Sequence, residues 1–382
     1  MIQPKPFSPQ SLLKKLIRML PWLVMLGLLF YNIAFLLSTQ GLGDFGSFIA
    51  SGQAAQRGEN PYAVYPLTSR AEYVGREETF PNMNPPVSLL LFELLAKVNP
   101  FTALRNWIIL SIVIYLTGLI ILFRAYHPTP IWLAWALTLA GLWDTLALGQ
   151  IYTALFLLVA LAWLCLGAGR ELLAGVLIGI LAAFKPNLLV WPGVLFLAGQ
   201  RRPAFIALLT TVILSALPIL RYEPQIYMQW LKAASQASWT DMPHYLSVFG
   251  VTARFGVPWL GLPLALLLLA FVGWWAWKRR PVALAASEIA LIASILASPL
   301  ATPRFTLFLV PVFYLGFQDP RIKLPAALFL IPTSLIIWLG FQSEPLRLLV
   351  GLIYPLALLL LFWRAIFKPV IKSEELTLER TL

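Results

Sequence analysis

The 382-residue sequence has few charged residues: 12% are Asp, Glu, Lys or Arg, whereas 60% are hydrophobic. Soluble globular chains have about 25% charged and about 45–50% apolar residues, so the composition excludes an ordinary soluble domain. The apolar residues form repeated runs of roughly 15–20 residues, close to the length of a membrane-spanning helix. The shorter alternating segments typical of a β-barrel are not seen in the sequence. We therefore predict an all-α, polytopic integral membrane protein.

Cysteine and histidine are also scarce, with one Cys and two His in the whole chain. The single Cys165 cannot form an intrachain disulfide, and its apolar surroundings leave the redox compartment open. Two histidines, His127 and His244, argue against a zinc site or a Ser-His triad. The sequence contains no glycine-rich phosphate loop, no HExxH and no GxSxG motif. We predict no metal site and no cofactor.

Positive charge is in excess, with a formal net charge of +12. The Lys and Arg are spread over short turns between apolar runs, which indicates membrane topology and no nucleic-acid partner. With the N-terminus inside, the predicted inner segments carry Lys and Arg about three times as densely as the outer segments, as the positive-inside rule expects. The first run lacks a cleavage motif and is predicted as a retained signal anchor. We place the protein in the cell (plasma) membrane with both termini cytoplasmic.

The apolar runs predict about twelve transmembrane helices. They are Leu20–Leu37, Trp107–Phe123, Ile131–Leu146, Ile151–Leu166, Leu172–Phe184, Leu188–Leu197, Phe205–Leu220, Trp259–Trp277, Val282–Ala297, Phe305–Phe317, Leu324–Phe341 and Leu348–Trp363. The two runs around Lys185-Pro186 are predicted as a broken pair, because proline interrupts a helix. Val87–Val98 extends only about 18 Å as a helix and carries Glu93 and Lys97, so we predict a juxtamembrane helix in the membrane interface.

These helices form a single predicted transmembrane domain over residues 1–367, followed by a short cytoplasmic tail at 368–382. Two predicted extracytoplasmic loops are large, at 38–106 and 221–258. In the first loop, Phe45, Phe48, Ile49 and Gly52 recur at helical spacing, and Gly58 with Asn60-Pro61 predicts the end of that helix. The second loop is rich in aromatic residues that suit an interfacial belt or a sugar-stacking wall: Tyr222, Tyr227, Trp230, Trp239 and Tyr245.

Asp44 is the first candidate functional residue, because it is an acid placed just beyond the first predicted span. One interpretation is structural: after Gly43, an aspartate is a common N-cap that satisfies free backbone N–H groups. The other is catalytic, since a lone carboxylate near the outer membrane face suits a general base for an acceptor hydroxyl.

Five other polar residues lie near the predicted outer ends of spans or in an outer loop. Lys185 and Arg304 are cations that either extend toward the interface or bind a lipid phosphate. Asp144 and Gln150 lie where the third predicted span reaches the outer face. Asp144 requires a partner or water near lipid, and could bind sugar hydroxyls or pair with a basic residue. His244 lies in the second large loop and is a weaker candidate.

Several segments in a fixed order resemble a known family. After Asp44 they are GQAAQRGENPY at 52–62, Asn84-Pro85-Pro86, LGQIYTALFLLVAL at 148–161, RELLAGVLIGILAAFKPNLLVWP at 170–192 and SPLATPRFTLFLVP at 298–311. From about Leu20 to Leu361 the chain resembles the GT-C membrane glycosyltransferases of glycosyltransferase family 87, which are polyprenyl-phosphate-mannose-dependent α-1,2-mannosyltransferase-like proteins.

The resemblance implies a GT-C-type fold with extracytoplasmic juxtamembrane helices in the first loop. It implies an inverting transfer of a sugar, mannose by analogy, from a polyprenyl-phosphate donor, with Asp44 as base and Lys185 near the phosphate. The acceptor would be a lipid, glycan or polymer on the extracytoplasmic face. Asn84 and Tyr62, in the quoted segments, join Asp144, Gln150 and His244 as expected substrate-binding residues. Family members often have a histidine and a tryptophan where this chain has Leu300-Ala301-Thr302, so no role for that histidine is carried over.

Two other functions remain open from the sequence. A transporter or flippase of lipid-linked saccharides would place polar groups near the middle of spans and show an internal repeat, and neither is visible. An oligosaccharide polymerase or ligase would share the large outer loops but use a pyrophosphate-linked oligosaccharide donor. In every case the expected partners include membrane lipid.

Overall fold

The computed structural model describes residues 9–39, 41–73, 76–236 and 241–367. The described chain is mostly helical. Its α-helices are α1 Pro9–Ser38, α2 Gly43–Gln56, α3 Leu89–Leu95, α4 Pro100–Tyr126, α5 Pro130–Thr138, α6 Ala140–Ala147, α7 Tyr152–Gly167, α8 Glu171–Phe184, α9 Val190–Leu197, α10 Arg201–Tyr222, α11 Gln225–Ser235, α12 Val248–Arg254, α13 Gly261–Arg279, α14 Ala283–Leu296, α15 Val310–Leu315, α16 Lys323–Leu328, α17 Thr333–Gly340, α18 Glu344–Gly351 and α19 Ile353–Phe367. Trp239 and the predicted tail at 368–382 lie outside the described residues.

Five helical segments are long and apolar enough to cross a membrane. They are Met19–Ser38, Pro100–Tyr126, Arg201–Tyr222, Pro258–Arg279 and Glu344–Phe367. The pair Pro320–Leu328 and Thr333–Gly340, bent by 62°, makes a sixth if it is counted as one span. Several other predicted spans correspond to apolar helices of 10–17 residues. The predicted helical membrane class is confirmed at this coarser level, and the count of twelve stays a prediction.

Breaks in the backbone account for much of the difference in helix length. The predicted span Ile131–Leu146 is divided at Leu139, whose extended ψ of 125° separates α5 from α6. The predicted span Phe305–Phe317 begins as a 3-10 helix, Pro303–Leu309, before α15. The break predicted at Lys185 is confirmed, since α8 ends at Phe184 and a 3-10 helix, Pro186–Leu189, follows it. Proline suits the first position of each 3-10 helix because its missing N–H has no partner there in any case.

The short helices form the centre and the long ones surround them. In α14 every residue from Ala286 to Leu296 is buried, as expected of a mostly apolar helix that is packed on every side, and three of these buried residues are polar: Ser287, Glu288 and Ser294. The long helices α1, α4, α10 and α13 instead leave many large apolar side chains exposed, such as Leu37, Phe205 and Leu267. In a membrane protein such side chains meet lipid, so the polar groups between the central helices are screened from it.

The predicted helix after Asp44 is confirmed as α2, and it is firmly held. Phe48 stacks on Phe92 of α3 with ring centroids 4.5 Å apart. A two-stranded antiparallel hairpin that the sequence did not predict, β1 Ser69–Tyr73 and β2 Arg76–Phe80, follows α2. Ser47 Oγ donates to the Phe80 carbonyl at 2.6 Å and accepts from the Ser69 N–H at 2.8 Å, which ties the base of the hairpin to α2.

Candidate active site

One end of the bundle contains a large cavity of about 1040 Å³, where α2 begins and α8 and α14 end. Seven of the eight predicted site residues line it: Asp44, Asn84, Asp144, Gln150, Lys185, His244 and Arg304. The eighth, Tyr62, lies behind the wall, where its buried hydroxyl donates to the Asn84 carbonyl at 3.2 Å. Residues from distant parts of the sequence therefore meet in one place.

Asp44 lies in the first turn of α2, and its side chain is not a helix cap. The N-cap position is Leu42, without a side-chain hydrogen bond, so the N-cap interpretation of Asp44 is wrong. The helix start is docked on the turn between α6 and α7, where the Phe45 N–H donates to the Leu148 carbonyl at 3.0 Å. Gly149 in that turn has φ +64°, and a Cβ there would lie 2.7 Å from the Phe45 Cβ. Only glycine permits this approach without strain.

The Asp44 carboxylate uses one oxygen for two hydrogen bonds. Its Oδ2 accepts from Gln150 Nε2 at 2.5 Å and from Arg304 Nη1 at 2.9 Å. Its Oδ1 accepts no hydrogen bond from any residue in the described part of the chain, and the side chain is 18% exposed. Asp44 thus presents one constrained oxygen and one oxygen open to the cavity.

Arg304 lies between two carboxylates. Its Nε is 2.9 Å from Asp144 Oδ2, while the Nε–H is donated to Thr302 Oγ1 at 3.1 Å. Asp144 Oδ2 is buried and forms no hydrogen bond within the described residues, so its contact with Arg304 is purely ionic. Gly141 lets α6, which carries Asp144, pack closely against the 3-10 helix that carries Arg304: a Cβ at Gly141 would lie 2.3 Å from the Pro303 carbonyl oxygen.

Lys185, at the break after α8, forms no ion pair within the described residues. Its Nζ donates to Asn84 Oδ1 at 2.9 Å and lies 4.5 Å from the centroid of the Tyr152 ring. The Arg304 Cζ is 6.0 Å from the same ring, so Tyr152 contacts both cations. Burial and the charge of Arg304 lower the pKa of the Lys185 ammonium to about 7, against the opposing effect of Asp44.

His244 supplies a neutral polar group to the cavity. Its Nδ1 is buried and forms no hydrogen bond with a described residue. Burial, with the charges of Arg304 and Arg254, lowers the pKa of His244 to about 3, so the ring carries no charge at neutral pH. Arg254 donates to the carbonyls of Met242, Tyr245 and Gly351, at 2.8, 3.2 and 2.7 Å, and so fixes the loop that carries His244.

The aromatic residues of the second large loop divide into two groups. Trp230 and Tyr245 line the cavity, whereas Tyr222 and Tyr227 are not among its lining residues. Trp230 is anchored by its Nε1–H, which donates to the Met83 carbonyl at 3.1 Å. The sequence reasoning missed Tyr152 and Thr302, although both lie within the segments that carry the family resemblance. Their closeness in sequence to Gln150 and Arg304 was the available signal.

The family model of glycosyltransferase family 87 matches residues 82–299. The matched range includes Asn84, Asp144, Lys185 and His244, whereas Asp44 lies before it. No curated protein and no solved structure matches the chain. The family match covers more than half of the 382 residues and confirms the resemblance seen in the sequence. The chain therefore belongs to glycosyltransferase family 87 and is a glycosyltransferase.

Proposed function

We propose that the protein is an inverting transferase that moves a sugar, with mannose as the first candidate, from a polyprenyl-phosphate donor. The acceptor is a lipid, glycan or polymer hydroxyl on the extracytoplasmic face of the plasma membrane. One observation carries the proposal: a single cavity contains an acid with a free oxygen, Asp44, and a cation without a carboxylate partner in the described chain, Lys185. An inverting displacement from a phosphate-linked donor requires one base and one site for the departing charge.

Asp44 acts as the general base in the proposed step. Its Oδ1 takes the proton of the acceptor hydroxyl as the hydroxyl oxygen forms a bond to the anomeric carbon. The bond between that carbon and the phosphate oxygen breaks, and its electron pair leaves with the polyprenyl phosphate. The proton therefore ends on Asp44 and the additional negative charge on the phosphate.

Lys185 stabilises the negative charge that develops on the leaving phosphate. The ammonium is oriented by Asn84 Oδ1, whose own amide donates to Asn82 Oδ1 at 3.0 Å, so its position is set before the donor arrives. A phosphate anion beside it favours the protonated form and offsets the lowering of the Lys185 pKa by burial. Arg304 has an Nη2 that forms no hydrogen bond with a described residue and can add one donor. We include no metal ion in the step, because the cations suffice to hold a phosphate leaving group.

The sugars occupy the polar lining of the cavity in this proposal. Asp144 Oδ2 and His244 Nδ1 are buried without hydrogen-bond partners among the described residues, and sugar hydroxyls would supply them. Trp230 and Tyr245 provide aromatic faces for a sugar ring. Ligand cavities span about 300–1,000 Å³, and a volume of about 1040 Å³ accommodates a donor headgroup together with the end of an acceptor.

The test is transfer of radiolabel from polyprenyl-phosphate mannose to a native lipid extract by purified wild type, Asp44→Asn and Asp241→Asn. Asp241 is the matched control, because it pairs with Arg347 at 3.4 Å and does not line the cavity. We expect Asp44→Asn to lose about 10²–10⁴-fold in rate, the usual contribution of a general base. Asp241→Asn should remain close to wild type.

The other outcomes separate the competing functions. Transfer by Asp44→Asn at the wild-type rate would remove Asp44 from the mechanism. If mannose is not transferred, the same assay is repeated with glucose and arabinose donors. Movement of labelled lipid across a vesicle bilayer without a new product would support a flippase. Use of a pyrophosphate-linked oligosaccharide alone would support a polymerase or ligase.

A further inference from the structure

We infer that Arg304 and Asp144 are positioning residues: Asp144 holds Arg304 so that Arg304 contacts a single oxygen of Asp44 and leaves the other oxygen free to act as the base. The inference rests on the proposed function for the role of Asp44. In this inference the main role of Arg304 is to orient the Asp44 carboxylate, and contact with the donor phosphate is secondary.

Only one of the two Asp44 carboxylate oxygens accepts hydrogen bonds from the described residues. Gln150 and Arg304 both donate to Oδ2, although they belong to different parts of the fold. The carboxylate torsion of aspartate is broad and nearly two-fold, so neither oxygen is distinguished by the side chain itself. Two donors on one oxygen select one orientation and leave the lone pairs of Oδ1 available.

Asp144 keeps Arg304 from engaging both oxygens of Asp44. An arginine that faces one carboxylate commonly forms a bidentate pair that engages both of its oxygens. Here the Nε edge of Arg304 is turned toward Asp144 Oδ2 at 2.9 Å and its N–H toward Thr302 Oγ1 at 3.1 Å, so only Nη1 reaches Asp44. Without the charge of Asp144, we expect the guanidinium to turn and engage both oxygens of Asp44.

Charged and titratable groups face Asp44 from several elements. Asp144 and Tyr152 interact with it from α6 and α7, Lys185 from the break after α8, and Arg304 from the 3-10 helix. Arg70 of β1 lines the same cavity. Replacing Arg304 removes the cation that holds Asp44 Oδ2, whereas replacing Asp144 removes the anion that turns the Nε edge of Arg304 away from Asp44.

The experiment measures kcat and the donor KM of wild type, Arg304→Gln and Asp144→Asn in the transfer assay. If Arg304 positions the Asp44 carboxylate, Arg304→Gln should lower kcat about 10–100-fold, the usual effect of losing one charge-assisted hydrogen bond, and leave the donor KM within about threefold of wild type. Asp144→Asn should show the same split with a smaller loss of kcat, since the Arg304 cation is still present. If Arg304 instead binds mainly the donor phosphate, its replacement should raise the donor KM about 10–100-fold.

Three further variants sharpen the result. Arg347→Gln is the matched control, because Arg347 also contacts two carboxylates, Asp241 at 3.4 Å and Glu344 at 3.2 Å, but lies outside the cavity lining. Its kcat and donor KM should equal those of wild type. Arg304→Lys keeps the charge without the planar fork and replaces Arg304→Gln if that variant does not fold. Its donor KM should stay near wild type while kcat falls about tenfold for one lost charge-assisted hydrogen bond. Gln150→Leu removes the other donor to Oδ2 and should lower kcat without raising the donor KM.

A donor KM that rises as strongly as kcat falls, or a kcat that is unchanged in both Arg304→Gln and Asp144→Asn, would overturn the inference. The two proposals fail separately. Absence of transfer by wild type with every donor contradicts the proposed function, whereas transfer by wild type with a change only in the donor KM of the variants overturns the arrangement around Asp44 alone.

Discussion

The protein places an arginine between two carboxylates at each end of the central helix α14. Beyond the end of α14, Arg304 lies between Asp44 and Asp144 and lines the cavity. Near its start, Arg364 of α19 lies between Glu288 and Asp319. The side chains differ in exposure, with 12% for Arg304 and 2% for Arg364. The residue types are nearly the same, so a difference in function must come from the hydrogen bonds that each cluster forms or leaves unformed.

In the Arg364 cluster, no buried side-chain nitrogen or oxygen of Arg364, Glu288 or Asp319 lacks a hydrogen-bond partner. Arg364 Nη1 donates to Glu288, and its Nε donates to Asp319 Oδ2 at 2.9 Å. Asp319 also accepts from the side chain and the backbone N–H of Arg321, at 2.9–3.3 Å. The Arg304 cluster instead leaves Asp144 Oδ2 without a hydrogen bond from any described residue. A charge cluster that completes its own hydrogen bonds stabilises the fold, whereas one that leaves acceptors open is available to a ligand.

We expect the largest effect on protein stability from replacing Arg364, and a much smaller effect on stability from replacing Arg304. Arg364→Met removes the partner of buried Glu288, and breaking a buried ion pair in this way costs about 3–5 kcal/mol. We expect a strong loss of folded yield and thermal stability in detergent, measured by size-exclusion chromatography and thermal unfolding. Arg304→Met should remain folded but lose transfer. The double variant Arg364→Met/Glu288→Met should recover stability, and equal stability of both single variants would contradict the comparison.

Lys185 should give the next largest effect, on use of the donor. Loss of one charge-assisted hydrogen bond of about 1.5–3 kcal/mol predicts that Lys185→Met raises the donor KM by about 10–100-fold. Because burial and Arg304 lower the pKa of Lys185 to about 7, its charge is lost as the pH rises through that value. The donor KM of wild type should therefore increase above pH 7. Lys185→Arg should abolish this pH dependence, and a variant that affects only the acceptor KM would exclude phosphate contact.

The features that the sequence predicted correctly depend on local signals. The helix at Phe45 and Phe48 follows from apolar spacing, and the break at Lys185 follows from the proline after it. Long apolar runs also indicated a membrane protein. The breaks at Leu139 and before α15 reduced the helix lengths, and the first of them has no proline to mark it. The hairpin was missed because its strands, SRAEY and REETF, are mostly polar and neither shows a sustained alternation of apolar and polar residues.

The contacts within the site could not be predicted from local signals. Asp44 meets Gln150 at a separation of 106 residues and Arg304 at a separation of 260. The sequence left two interpretations open for Asp44 and for Arg304, and the cavity brings both residues into one network. For Asp144, pairing with a basic residue was one of two stated alternatives, and the 2.9 Å contact with Arg304 now supports it. The fold of the whole chain, and not the spacing of these residues in the sequence, brings them into contact.

A smaller effect concerns pH and the stability of the Arg364 cluster. The hydrogen bonds from Arg321, with those from Arg364, hold the pKa of Asp319 well below its ordinary range. A lowered pKa contributes stability above about pH 4 that is lost as the pH falls, since the unfolded state then binds the proton more readily. We expect wild type to lose about 1–2 kcal/mol between pH 6 and pH 3 through this group. Asp319→Asn should show less of this acid sensitivity in thermal unfolding.

His244 should give the smallest effect, because a neutral group contributes hydrogen bonding and no charge. Replacement by phenylalanine removes the neutral hydrogen bond that we propose between His244 and the sugar, so His244→Phe should lower kcat/KM by about 3–10-fold. His244→Gln keeps a polar head and should stay within about threefold of wild type. With its pKa lowered to about 3 by burial, Arg304 and Arg254, His244 does not titrate near neutrality. The pH–rate profile should therefore be the same in both variants, and a displaced limb would place His244 in the charged network with Arg304.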